Sequence, residues 1–305
     1  MTHSGWPALP YDAWKDTYET LHMWTQIVGK VRLACMPWLN HCWQVTLYPT
    51  ACGLTTARMP HGENDFQIDF DFVAHELSVQ TSRGERRKLA LAPMPVADFY
   101  HALMEALTSL GVPVQIYRKP VEVESRMAFD DDFTHRAYDA DAVYRLWRVL
   151  GSSARVLERF RSRYYGKASP VHFFWGSFDL AVTRFSGRTA PPHPGGVPNL
   201  PDRVTRDAYS HEVSSCGFWP GGPSVPYPLF YSYAYPEPRD FALADVQPST
   251  ASYDPSLREF VLPYDSLRKM DEPERELLTF LQSTYEAAAN LGGWDRKSLE
   301  VSAPV

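Results

Sequence analysis

The stretch Phe66–Phe72, which reads FQIDFDF, decides the fold class because it alternates apolar and polar residues without a break. Successive side chains of a strand point to opposite faces, so this period of two predicts a half-buried strand. The segments Leu77–Gln80 and Lys88–Leu91 predict a hairpin directly after it. A further strand is expected over His41–Tyr48. Together these segments indicate an antiparallel meander.

Helical patterns lie on both sides of this meander. Apolar residues recur every three or four positions from Asp12 to about Leu33, and Val96–Leu110 predicts a second helix that stops at Gly111. The same pattern returns later, with helices expected from Ala142 to about Tyr165 and over Glu274–Leu291. We therefore predict an α+β protein of two similar halves, each with a helix, an antiparallel β-meander and a closing helix.

Short landmarks recur in the same order in the two halves. Tyr11-Asp12-Ala13 precedes the first helix and Tyr138-Asp139-Ala140 the second, and the closing helices end in Leu110-Gly111 and Leu291-Gly292. This order predicts an internal duplication. The alternative is that two unrelated α+β units share an order and a few identities by chance. The predicted boundaries are an N-terminal half at 1–120, an acidic linker at 121–137 and a C-terminal half at 138–305.

The halves differ most in the segment between two of their strands. The first half uses Ala57–Asp65, whereas the second uses a long insert, predicted as a loop over residues 188–228, that is rich in His, Cys, Trp, Pro and Gly. Structureless loops beyond about 12–15 residues are uncommon in compact domains unless they serve a function or are disordered. Its aromatic and polar middle favours order, so we expect a site where this insert covers the neighbouring strands.

Composition excludes several classes of function. The net charge is −6 across 305 residues, and the densest basic run is Arg83–Lys88, so no electrostatic footprint for nucleic acid is present. The N-terminus has no secretory pattern and no apolar run is long enough to span a membrane. The four cysteines form no CxxC pair, which favours a reduced cytoplasmic protein. No pattern indicates an oligomeric state.

Three kinds of chemistry are open for the insert and the strand segment His172–Arg188 before it. A metal site for Fe, Mn or Zn would use histidines and a carboxylate, and the candidate ligands are His172, His193 and His211, with Asp179 or Glu212. The alternative for His172 is a buried structural histidine. A nucleophilic Cys216 would need a nearby base such as His211, and its alternative is a buried structural thiol.

The third kind of chemistry is proton transfer or ligand capture without a metal. Asp179, His211 and Glu212 are candidate proton-transfer groups. Arg184 and Arg188 would hold an anion by bidentate hydrogen bonds. An aromatic pocket would be walled by six residues, Trp175, Phe218, Trp219, Tyr231, Tyr233 and Tyr235. The alternative is that Asp179 and Arg184 form an internal salt bridge and that the aromatic residues belong to the core.

Long stretches of the chain resemble one protein family. They include PVHFFWGSFDLAVTRFSGR, AYSHEVSSCGFWPGG, FYSYAYPEP and, near the end, FLQSTYEAAANLGGWDR. With YDAWKDTYETLHMWTQIVGKVRLA near the start, these motifs resemble a bacterial domain family of unknown function over nearly the whole chain. The resemblance implies a stand-alone bacterial protein and assigns no catalytic residue.

The leading hypothesis is therefore an enzyme that acts on a small polar molecule in a cleft under residues 188–228, with a divalent metal as one option. Two competing hypotheses belong to other classes. One is a non-catalytic small-molecule binding protein with an aromatic-lined pocket, and the other is a protein–protein interaction module.

Overall fold

The computed structural model describes residues 5–301 and contains two antiparallel sheets of six strands each. The first half comprises helix α1 (Lys15–Cys35), strands β1 (Tyr48–Pro49), β2 (Gly53–Thr55), β3 (Met59–His61), β4 (Asn64–Asp71), β5 (Glu76–Thr81) and β6 (Arg86–Ala90), and helix α2 (Val96–Ser109). Its strand order is β1-β2-β4-β5-β6, with β3 also paired to β4. This confirms the α+β class and the antiparallel meander.

The second half repeats the arrangement with more elements. It comprises α3 (Ala140–Arg161), β7 (His172–Phe174), β8 (Asp179–Thr189), α4 (Asp202–Ala208), β9 (His211–Trp219), β10 (Leu229–Tyr235), β11 (Ser252–Asp254), β12 (Glu259–Pro263), α5 (Tyr264–Leu267), α6 (Pro273–Leu291) and α7 (Arg296–Leu299). The strand order is β11-β12-β10-β9-β8-β7. Short 3₁₀ turns lie at Tyr11–Ala13, Asn40–Val45, Phe129–Asp131 and Phe241–Leu243. The duplication stays a prediction, although both halves run helix, meander, helix.

The alternation in FQIDFDF places one face of β4 in the core. Phe66, Ile68 and Phe70 are at most 2% exposed, and the alternating residues Gln67, Asp69 and Asp71 lie on the other face. The core continues into the helices, where Trp24 of α1 stacks on Phe99 of α2 with 4.7 Å between ring centres. Fully burying such a side chain contributes about 1.5–3 kcal/mol.

Two predictions about local structure are wrong. Residues 41–45 belong to the 3₁₀ turn and not to a strand, because His41 and Cys42 take the left-handed φ values of 60° and 58°, which a strand excludes. Residues 188–228 are not one loop, because they include α4 and the central strand β9. Only residues 190–210, called here the cover segment, cross from β8 to β9 outside the sheet.

No helix of the described residues 5–301 is both long and apolar enough to cross a membrane.

The two sheets meet edge to edge, where Leu47 and Phe173 exchange backbone hydrogen bonds of 2.9 and 2.7 Å. Helix α1 also reaches into the second half. The Nε2–H of His22 donates to the carbonyl oxygens of Trp175 and Gly176, and Gly29 lies against the Trp175 ring.

We predict that Gly29→Ala destabilises the protein by about 1–3 kcal/mol, since overpacking a tight contact costs this much. A Cβ at position 29 would lie 2.2 Å from the Trp175 ring, and the indole N–H is held by the carbonyl of Val45 at 2.7 Å. Urea denaturation measures the change.

The matched control is Gly151→Ala in α3. A Cβ there meets Trp147 only at 3.7 Å, an ordinary contact. Alanine is the better helix former, so this variant should gain about 0.5–1 kcal/mol. Equal effects of the two substitutions would show that the Gly29–Trp175 contact is not tight.

Candidate functional site

One face of the second sheet is covered by helices and the other forms the floor of a cleft. Helices α3 and α6 pack on β8, β9 and β10 from one side. On the other side lies a cleft of about 650 Å³, walled by the cover segment, the 3₁₀ turn at Asn40–Val45, the end of α1 and residues 117–122. This volume is within the range of small-molecule sites, roughly 300–1,000 Å³.

Alternation along β8 decides which of its side chains reach the cleft. Asp179, Ala181, Thr183 and Phe185 line it, whereas Leu180, Val182 and Arg184 belong to the other face. Across the sheet, Thr183 is paired with Ser215 of β9, and Ser215 with Tyr233 of β10. The floor is therefore a row of hydroxyl groups.

These hydroxyl groups hold one another in place. The Oγ atoms of Thr183 and Ser215 lie 2.8 Å apart, and the hydroxyl oxygens of Tyr209 and Tyr233 are also 2.8 Å apart. Burial raises the pKa of Tyr209 to about 12, so this hydroxyl stays protonated. A buried network with its hydrogen bonds satisfied is rigid, and its geometry is set before any ligand arrives.

Asp179 is the charged group on this floor. It is 7% exposed, and its two carboxylate oxygens accept hydrogen bonds from the hydroxyls of Ser177 and Tyr231. Tyr231 lies on β10, and its ring crosses β9 at Gly217, where a Cβ would come within 2.6 Å of its hydroxyl oxygen. Burial raises the pKa of Asp179, and the two hydroxyl donors offset part of that rise.

A second carboxyl group, Glu122, enters from the predicted acidic linker. Its backbone has a left-handed φ of 59°, its N–H donates to the Pro198 carbonyl at 3.1 Å, and its carboxylate lies over Gly176. The Gln26 side chain fixes the position of this segment, because it accepts a hydrogen bond from the Val121 N–H and donates one to the Val121 carbonyl, both at 2.9 Å. Burial, and then the charge of Asp179, raise the pKa of Glu122 to about 7.

Lys30 is the buried lysine of the cleft wall, whose other ionisable side chains include His41, Cys42 and Arg203. It lies on α1, is 4% exposed, and places its Nζ 5.3 Å from the ring centre of Tyr117 and 5.6 Å from that of Trp175. Burial lowers the pKa of Lys30 to about 8, partly offset by the charge of Glu122. Within residues 5–301 the ammonium forms neither an ion pair nor a hydrogen bond.

Of the residues predicted from sequence, the cleft gathers Asp179, Trp175 and Tyr233. Tyr235 lies outside it, where its hydroxyl donates to the Pro191 carbonyl at 2.9 Å and so holds the start of the cover segment. Trp219, at the far end of β9, packs beside a small separate cluster with Leu229 and Val261. The cleft also contains the predicted Tyr231 and four aromatic residues outside the prediction, Trp38, Trp43, Tyr117 and Tyr209. The remaining predicted residue, Phe218, packs against Phe230 and Tyr264 on the helix-covered face.

The predicted anion-binding arginines lie elsewhere. Arg184 is 1% exposed and packs between the rings of Phe160 and Tyr285, with 3.5 and 4.3 Å from its guanidinium carbon to their centres. The guanidinium donates to the Phe160 carbonyl, so Arg184 and Asp179 sit on opposite faces of the sheet and form no salt bridge. Arg188 pairs with Glu212 at 2.7 Å and donates to carbonyls at the end of α6, which makes it a link between elements.

The remaining candidates are not brought together. Cys216 faces the helices, and burial raises the pKa of its thiol to about 12, which opposes thiolate formation. His172 packs between Trp43 and Phe174, and burial lowers its pKa to about 3. His193 stacks on Tyr209, whereas His211 lies beside His41. Among residues 5–301 no group of three His, Cys, Asp or Glu side chains is arranged to hold a metal ion.

Sequence reasoning missed Glu122 and Lys30. Lys30 had a usable signal, because it interrupts the apolar run of QIVGKV in a helix that is buried over most of its length. Glu122 had none, since it sits among other acidic residues in a segment without periodicity. Its position depends on contacts with Gln26 and Pro198, which are distant in sequence.

The fold and the cleft thus define an α+β protein with two antiparallel sheets and a small-molecule-sized cavity that contains buried ionisable groups. The chain belongs to the DUF5996 family, a family of unknown function, whose model matches residues 6–301. Searches of curated proteins and of solved structures found no match to the chain.

We predict opposite pH effects for the two charged groups that face each other across the cleft. Glu122 has an ordinary pKa of 4.5 and a folded-state pKa of about 7, so folded protein binds more protons and stability falls as pH rises through this window. The Glu122→Gln variant cannot ionise at this position and therefore does not lose stability in this pH range. Its stability relative to wild type should therefore increase between pH 4.5 and 7, by up to about 3 kcal/mol.

For Lys30→Met we expect the opposite dependence of relative stability on pH. The folded-state pKa of Lys30 is about 8 against an ordinary 10.5, so wild-type stability rises with pH across that window. The variant should have its largest advantage below pH 8 and lose it toward pH 10.5. Urea denaturation at pH 5, 7.5 and 10 measures both. A constant offset for either variant across these values would contradict its assigned shift.

Proposed function

We propose that this protein is an enzyme that binds a small polar molecule in the cleft under the cover segment and transfers protons with Glu122 and Asp179. The observation that carries the proposal is that two carboxyl groups from distant parts of the chain line one cleft, with Asp179 buried, Glu122 half-buried and Lys30 on the same wall. Ionisable groups drawn out of water in one cleft are concentrated at functional sites, because burial shifts their pKa values.

The two carboxyl groups are suited to different roles. Glu122, with a pKa of about 7, is present both protonated and ionised near neutral pH, which is the condition for efficient general acid–base catalysis. Asp179 is held by two hydroxyl donors, and a carboxylate has further lone pairs for a ligand. Asp179 therefore orients the substrate, while Glu122 exchanges the proton.

The walls define the ligand as partly apolar. Trp38, Trp43 and Trp175 offer broad aromatic surface, while Thr183 and Ser215 offer hydroxyl groups on the floor. A ligand that matches both would carry hydroxyl or carbonyl groups on a compact carbon frame. In line with the family resemblance, we also propose that the protein acts in a bacterial cytoplasm and that its two halves arose by duplication.

A non-catalytic binding protein is the second candidate function. It is favoured by two hydroxyl pairs that already satisfy each other by hydrogen bonds, Thr183 with Ser215 on the floor, and Tyr233 of the floor with Tyr209 of the cover segment. A floor of this kind presents a fixed shape to a ligand without needing to react with it. The two candidates share the cleft and differ only in turnover.

The test is a thermal-shift screen of small metabolites against wild type, Asp179→Asn and Glu122→Gln, followed by titration of each hit. Removing a hydrogen bond to a charged group costs about 1.5–3 kcal/mol, so Asp179→Asn should weaken a true ligand by roughly 10–100-fold. The matched control is Asp265→Asn on α5, whose carboxylate pairs with Arg268 outside the cleft.

Mass spectrometry of each hit after incubation separates the two functions. For an enzyme, Glu122→Gln should slow conversion by about 10²–10⁴-fold, the usual contribution of general acid–base catalysis. Binding without conversion by wild type would favour the non-catalytic protein. Equal affinity in wild type and both cleft variants would place the ligand elsewhere and overturn both candidates.

A further inference from the structure

Acid–base transfer by Glu122 and Asp179 gives no role to Lys30, a buried cation in the cleft lining. Its stem emerges from α1 beside Gly29, and its Nζ lies near the rings of Tyr117 and Trp175. A lysine that only stabilises a fold extends its ammonium to water or pairs it with a carboxylate. Lys30 is 4% exposed and, within residues 5–301, lacks an ion-pair partner.

The surroundings of Lys30 match what an amine nucleophile needs. An amine attacks only in its neutral form, and desolvation in an apolar pocket favours that form. The aromatic walls provide such a pocket, and the lowered pKa of Lys30, about 8, is the expected result. Glu122 lines the same cleft, and its charge offsets part of this lowering.

Other lysines of the chain do not share this environment. Lys88 and Lys269 form ion pairs with Glu76 and Asp265. Lys167 donates to Nε2 of His41 at 2.6 Å, which occupies its nitrogen. Lys15, Lys119 and Lys297 are exposed. Lys30 is therefore distinguished by its burial, by a nitrogen without an ion pair or hydrogen bond within residues 5–301, and by its place in the lining of a ligand-sized cleft.

We propose that Lys30 is a nucleophile that forms an imine with an aldehyde or ketone bound in the cleft. The proposal deepens the acid–base function and rests on the same cleft, and it adds a covalent step and the carbonyl class of the ligand. The aromatic walls favour a carbonyl carbon attached to an apolar or aromatic group.

The step balances with groups already present. The neutral Nζ attacks the carbonyl carbon, a C–N bond forms, and the carbonyl π electrons move to oxygen, which takes a proton from Glu122. The Glu122 carboxylate then removes one proton from the nitrogen and passes it to the hydroxyl oxygen, and the C–O bond breaks to release water as the nitrogen lone pair forms the C=N bond. The iminium finally gives its remaining N–H proton to the Glu122 carboxylate, which restores the protonated acid. The net change is one amine and one carbonyl giving one imine and one water, with no oxidant or reductant.

Reductive trapping tests the proposal directly. Wild-type protein is incubated at pH 7 with benzaldehyde and cyanoborohydride, which converts any imine into a stable secondary amine, and peptide mass spectrometry then locates the modification. Lys30 should be modified at least tenfold faster than Lys15, because a pKa near 8 leaves more neutral amine at pH 7 than the ordinary 10.5.

Two variants separate reaction at Lys30 from general exposure. Lys30→Met should lose this modification while Lys15 keeps its rate, and its folding is checked by the denaturation measured for the pH prediction. Glu122→Gln retains the amine but lacks the proton donor, so the rate at Lys30 should fall about tenfold or more. An unchanged rate in Glu122→Gln would contradict the role of Glu122 in the step.

The outcome that overturns the proposal is modification of Lys30 no faster than Lys15. That failure is distinct from failure of the acid–base function, which is read from metabolite binding by Asp179→Asn. A fast reaction at Lys30 with no effect of Asp179→Asn on any metabolite would support the imine and reject the role of Asp179.

Discussion

The edge-to-edge pairing of Leu47 with Phe173 sets the geometry on which the rest of the molecule depends. Two backbone hydrogen bonds join the sheets between Leu47, the residue before β1, and Phe173 of β7. With that edge fixed, α1 of the first half packs against the β7–β8 turn, where His22 and Gly29 meet Gly176 and Trp175. The second sheet then has one face for its own helices and one for the cleft.

Strand alternation places two charged residues of β8 in different environments on the two faces of the sheet. Asp179 and Arg184 lie five positions apart on one strand, and an odd separation sends them to opposite faces. One becomes a carboxyl group in a cavity. The other becomes a cation enclosed by aromatic rings, where burial lowers its pKa to about 10 and cation–π contacts offset part of that cost.

Periodic parts of the chain could be predicted from sequence and contact-dependent parts could not. Phe66–Phe72 and the four long helices carry strong patterns, and the structure has elements at each of them. The sequence pattern does not predict strand β9, because the Ser, Cys and Gly residues at its centre have no strand preference. This strand forms through its pairing with β8 and β10. Asp179 is predictable from sequence because it is a charged residue in an otherwise apolar strand. Glu122 is not, because its position depends on contacts of its segment with Gln26 and Pro198, which are distant in sequence.

The origin of the groups around the cleft has a consequence for inheritance. Lys30 comes from the first half, Glu122 from the segment between the halves, and Asp179 and Tyr231 from the second half. Neither side of this segment supplies all four groups by itself. A gene fragment that encodes one side alone would lack part of the proposed site, so the acid–base proposal predicts that both sides are inherited together.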